Sequence, residues 1–66
     1  MNYALINAMN DRVLSKHRTL TGMLRAARSI QPKEANVYLP VEPRLADGSR
    51  LTDEDLEEWI RLRDNA

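Results

Sequence analysis

A small α+β domain is what this chain predicts, in the order β-β-α-β-β-α, with two helices packed on a short antiparallel sheet. Three observations lead there. Leu20, Met23, Leu24, Ala27 and Ile30 recur at helical spacing, and Pro32 closes the stretch. A second helix is marked at its start by Thr52 and an acidic first turn, and at its end by Arg61 and Arg63. Two turn signals, Met9-Asn10-Asp11 and Asp47-Gly48, each lie between short segments of extended character. The whole of residues 1–66 reads as one domain, because 66 residues have room for a single core.

The first seventeen residues admit two readings. In the preferred one, 3–8 and 12–16 are paired strands around the Asn-Asp turn, whose residues tolerate a left-handed backbone. In the alternative the chain is mainly α. Ile6, Met9, Val13, Lys16, Leu20, Met23, Ala27 and Ile30 then form a heptad seam on one long N-terminal helix that assembles as a helical dimer. Asn7, Asn10 and Asp11 are weak helix formers, and Thr19, Thr21 and Gly22 interrupt the middle of that rod. The hairpin is therefore favoured.

From Leu20 onward both readings agree. Thr19 is placed to cap the helix, its hydroxyl accepting from a free backbone N–H of the first turn. Residues 33–36 read as a loop, and 37–41 as a strand with Val37, Leu39 and Val41 on one face. Pro40 and Pro43 lack an N–H, which assigns that strand to a sheet edge or leaves it only partly paired. An edge strand is preferred to a polyproline docking ligand for the Pro40–Arg44 stretch. Asp47-Gly48 then turns the chain between 44–46 and 49–51.

The last helix, 53–64, is the most fully specified. Asp53, Glu54 and Asp55 complement the positive end of its dipole, and Asp55 stands at the third position of a capping box. Leu51 and Leu56 are spaced as a hydrophobic staple. Leu56, Trp59 and Ile60 make the inward face, with Trp59 read as a core residue before an interface anchor. Glu57 and Arg61 are spaced for an i,i+4 ion pair.

Zero net charge conceals a division along the chain. Residues 1–33 hold six basic residues against Asp11 alone, and residues 34–66 hold four against nine acids, giving +5 and −5. Two oppositely charged halves can attract each other, within one chain or between copies. Below about 70–80 residues one core rarely supplies more than ~3–5 kcal/mol, and this chain has no Cys for a disulfide. A homodimer is the expected remedy. The longest uninterrupted apolar run, Tyr3-Ala4-Leu5-Ile6, is far below the roughly 18 residues of a membrane span. No basic-then-apolar leader opens the chain, so the expected location is the cytoplasm.

Few residues offer chemistry. His17 and Ser15 share a strand face, yet no local acid could orient the imidazole, and a sheet-face histidine is the plainer reading. The acids of 53–58 wind around a helix instead of converging on a cation. With Gly22 and Gly48 the only glycines, a phosphate-cradling loop is excluded. No catalytic residue, metal ligand or cofactor is expected, and the chain is read as a non-enzyme. The favoured function is a non-catalytic protein-interaction module of adaptor or inhibitor type. Lys16, Arg18, Arg25 and Arg28 would meet an acidic surface, and Glu54, Glu57 and Glu58 a basic one. The rival is a small nucleic-acid-binding regulator, in which the basic helix around 18–28 approaches phosphates beside Gly22.

Overall fold

Short polar side chains close the first reversal of the chain. Asn7 Oδ1 accepts from the Met9 N–H at 2.9 Å, and Asn10 Oδ1 from the Arg12 N–H at 3.0 Å. Asp11 takes the left-handed backbone, φ 57°, that Asp tolerates better than most residues. The computed structural model of the chain describes residues 2–31 and 40–65. Around this turn, β1 (Tyr3–Asn7) pairs antiparallel with β2 (Arg12–His17). The hairpin is confirmed and the long N-terminal helix is overturned. Leu5 faces Ser15 and Ile6 faces Val13, so Leu14 is the extra residue of a bulge that bends β2.

Helix α1 (Leu20–Ile30) starts where expected: Thr19 Oγ1 accepts from the Gly22 N–H at 3.0 Å. Leu20, Met23, Leu24 and Ala27 are buried, whereas Ile30 at the end of the stripe is 36% exposed. Pro32, the 33–36 loop and the 37–39 part of the proposed strand lie outside the described residues. The strand itself begins at Val41: β3 (Val41–Leu45) pairs antiparallel with β1, and the sheet order is β2-β1-β3. Its edge position is the one demanded by Pro43, which cannot donate to a second neighbour.

The second hairpin is reduced to its turn. Gly48, at φ 89°, donates to the Leu45 carbonyl at 2.9 Å, and Leu45 donates to the Ser49 carbonyl at 2.9 Å. Asp47 Oδ1 holds Ser49 through its N–H at 2.9 Å and its hydroxyl at 2.5 Å. Beyond that, only an isolated bridge between Arg44 and Arg50 remains of the expected fourth strand. Three residues separate Gly48 from Thr52, and Leu51 must enter the core before the helix begins. There is no length left for a ladder.

Thr52 Oγ1 accepts from the Asp55 N–H at 3.2 Å and opens α2 (Asp53–Asp64). Its inward face is Trp59 with the half-buried Leu56 and Leu62; Ile60, placed inward by spacing, is 40% exposed. The Asp55 carboxylate, instead of closing a capping box on the Thr52 N–H, accepts from the Tyr3 hydroxyl at 3.2 Å and ties the helix to the central strand. Burial, then the neighbouring charges of Asp55 and Glu54, push the Tyr3 phenol above its ordinary value of 10.0. The folded state thus holds this proton more tightly than the unfolded chain. The associated stability is complete below the unfolded pKa and is lost as pH rises through the folded one. Urea titrations between about pH 9 and 11 should show an alkaline loss of stability in the parent that Tyr3→Phe lacks. Equal slopes in the two proteins would refute it.

Opposed residues of an antiparallel ladder share a face, so Tyr3 and Leu5 look toward the helices together with His17, Ser15, Val41 and Leu45. Leu5 meets Leu20, Met23, Leu24, Ala27, Leu51 and Trp59 in one core. Ala4 and Ile6 point to the opposite, helix-free face, among Lys16, Arg44, Val13 and Glu42. They are buried there, yet stand apart from the helix-side core. An α+β domain with two helices on one face of an antiparallel sheet is the result.

Candidate interaction surface

Both helices begin at the same end of the sheet. α1 leaves β2 beside Tyr3, to which His17 is paired, and the first turn of α2 reaches Tyr3 through Asp55. Both also finish together, where Arg28 Nη2 donates to the Arg63 carbonyl at 3.3 Å. That contact sets a cation against the negative end of the α2 dipole. The helices therefore run side by side in the same direction, and their outer faces form one surface.

On α1, Arg25 lies opposite the buried stripe and is exposed, as are Arg28 and, just before the cap, Arg18. Gly22 falls between Arg18 and Arg25. A Cβ there would stand 3.2 Å from Thr19 Oγ1 and 3.8 Å from His17 Nδ1, so the glycine also makes room for the cap. On α2, Glu54 and Glu57 are exposed and Glu58 half-buried. Glu58 grips Arg61 through two hydrogen bonds, one of them Nε to Oε2 at 3.0 Å, and this holds the Arg61 proton more firmly than usual. The pair is Glu58–Arg61 at i,i+3, not the Glu57–Arg61 pair the spacing offered.

Arg18 and Arg25 are exposed along α1, Glu54, Glu57 and Glu58 gather on α2, and Arg28 reaches across to the C-terminal end of α2. Lys16 is not among them. It pairs with Ala4 and stands on the helix-free sheet face. Among the described residues, the ion pairs are Arg44–Glu42, Arg61–Glu58 and Arg63–Asp64, all within the second half of the chain. None joins the basic first half to the acidic second half. The charge division is left on the exterior.

Ser15 Oγ and His17 Nε2 are 2.7 Å apart on the helix side of β2. A hydroxyl and an imidazole at that distance can exchange a proton, but no carboxylate among the described residues bonds the ring's other nitrogen. No group of three or more His, Asp or Glu among the described residues is arranged to hold a metal ion. No described helix is long and apolar enough to cross a membrane.

One cluster escaped the sequence. Arg44, Arg50 and Arg63 gather with Leu56, Trp59 and Ile60 around a groove of about 280 Å³ between β3 and α2. A two-residue Asp47-Gly48 turn would pair Arg44 with Leu51, so the observed Arg44–Arg50 bridge is one residue out of the register the local signal offered. The part played by Arg63, from a different element, has no local signal. Comparison of the chain with protein families, curated proteins and solved structures finds no match.

Proposed function

We propose that this chain is a non-catalytic interaction module of the cytoplasm that forms a homodimer by laying the basic row of α1 on the acidic row of α2 of a second copy. What supports this reading is the absence of any ion pair between the two charged halves among the described residues, although both are exposed on one surface. A two-fold axis would satisfy both rows at once, since an isologous contact repeats each pairing twice. Exposed ion pairs contribute only about 0–1 kcal/mol each, so the complementarity sets register and partner choice more than affinity. An adaptor or inhibitor of this kind works by occupying a surface.

Sedimentation equilibrium tests it. The parent should dimerise at 50 mM salt and weaken by about tenfold or more at 500 mM, where the screening length falls to a few ångströms. Arg18→Glu/Arg25→Glu should be monomeric, as should Glu54→Arg/Glu57→Arg, and mixing the two should restore a dimer. A parent that stays monomeric at low salt, or a mixture that does, would remove the reading. The second reading, nucleic-acid binding, is favoured by one observation: α1 carries Arg25, with Arg18 just before its cap, and has no acid in its first turn. The acidic row on the neighbouring helix opposes it. Tight, steeply salt-dependent binding of a random duplex by the parent would put it first.

A further inference from the structure

We infer that the groove between β3 and α2 is a docking site for an acidic peptide segment of a partner protein, seating an apolar side chain on Trp59 and carboxylates on Arg44, Arg50 and Arg63. This goes beyond the dimer reading and uses a different face of α2. The floor is apolar, from Leu56, Trp59 and the 40%-exposed Ile60, and the rim carries three guanidinium groups. Of the groove's described lining one residue is acidic, Glu42, which is taken by Arg44 Nη2 at 3.0 Å; Arg63 Nε in turn reaches Asp64 Oδ1, outside the lining, at 3.4 Å. Arg44 Nη1 donates to the Gly48 carbonyl at 3.1 Å, while its Nε is shut off from water with no acceptor. One guanidinium donor is thus desolvated and unmatched, a cost the fold sustains only because Nη1 and Nη2 are both engaged and hold the Arg44 side chain in place.

The combination selects the ligand. Three cations against two acids, Glu42 and the exposed Asp64, leave a net positive rim that calls for negative charge, and the apolar floor calls for a hydrocarbon side chain next to it. Adjacent acidic and apolar side chains of a peptide meet both demands. A small molecule suits the groove less, because such sites enclose most of their ligand, whereas Arg50, Ile60 and Arg63 are exposed. Among the described residues the groove also follows the outer edge of β3. Among the described residues β3 pairs on its outer side only through the Arg44–Arg50 bridge. An extended segment fits alongside, with Pro43 limiting the backbone contribution and leaving the side chains to decide.

Trp59 is the only tryptophan, so its fluorescence reports on the groove floor. The probe is the blocked pentapeptide Glu-Leu-Glu-Leu-Glu, with Lys-Leu-Lys-Leu-Lys and oligothymidylate as comparisons. The expected result is a saturable change in emission with the acidic peptide below about 1 mM, and none with the basic one. Arg50→Ala/Arg63→Ala should weaken binding by about tenfold or more. Ile60→Glu, which plants a carboxylate among the arginines, should abolish it, and circular dichroism should show both variants folded. Arg18→Glu/Arg25→Glu should bind as the parent does, even if its dimer is lost, which separates this site from the helix layer. No saturable response, equal response to the basic peptide, loss only in the α1 variant, or preferential binding of oligothymidylate would each overturn the proposal.

Discussion

Trp59→Ala should leave the chain without a cooperative unfolding transition at 25 °C. Truncating a buried Trp to Ala costs about 3–5 kcal/mol, and an uncrosslinked domain of this size has about 3–5 kcal/mol in all. Trp59 is the one buried residue of α2, at 7% exposure. It joins that helix to Leu24 and Ala27 of α1 and to Leu5 of the central strand in a single core. Without it, α2 is held by the half-buried Leu56 and Leu62, the Thr52 cap, the Tyr3–Asp55 bond and the Arg28 contact to the Arg63 carbonyl. The three hydrogen bonds are partly or fully exposed; a neutral one contributes about 0.5–1.5 kcal/mol net, and solvent screening brings the charged Tyr3–Asp55 and Arg28 bonds down toward the same range. Those contacts cannot replace it. Urea unfolding followed by far-UV circular dichroism, at matched protein concentration, is the measurement. A cooperative transition within about 1 kcal/mol of the parent would mean that α2 is not anchored through its tryptophan.

How far the chain can be read without coordinates depends on the range of the interaction concerned. Thr19, Thr52 and the Asn7–Asp11 turn act over two or three residues, and all three are where local chemistry puts them. The α1 stripe is legible for the same reason, since a helix face is a local repeat. Ile30 and Ile60 mislead because the width of a buried stripe is set by the neighbouring element, and both fall outside it. The Asp55 carboxylate departs further. Fifty-two residues along the chain from Tyr3, it abandons the local box for a tertiary partner. The fourth strand fails through a competition that spacing alone does not reveal, in which Leu51 is required by the core before a ladder can form. For the candidate surface, helical spacing was enough to group Arg25 with Arg28 and Glu54 with Glu57 and Glu58. Lys16 was separated from them by strand alternation, whose phase depends on the Leu14 bulge.

Leu5→Ala should cost about 2–5 kcal/mol, and Val13→Ala no more than about 0.5 kcal/mol if the helix-free face is open to water. Leu5 is fully buried at the centre of the middle strand, over the fully buried Met23. Its ladder partners are Ser15 and Pro43, short side chains with no reach to refill a vacated volume. The cavity should therefore persist, which puts the cost in the upper half of the range and leaves little or no cooperative transition, as for Trp59→Ala. Val13 lies across the same sheet on the other side, paired with Ile6 and 53% exposed, and its methyl groups have water to lose little against. Measured by urea unfolding at two protein concentrations, the pair of variants also decides which surface a second copy covers. A dimer through the helix layer leaves the Val13 variant near-neutral at both concentrations. Should Val13→Ala instead cost several-fold more, and the more so as the protein is concentrated, the second copy is seated on the sheet beside Met9, Val13 and Leu14. The charged helix faces would then be free for a different partner.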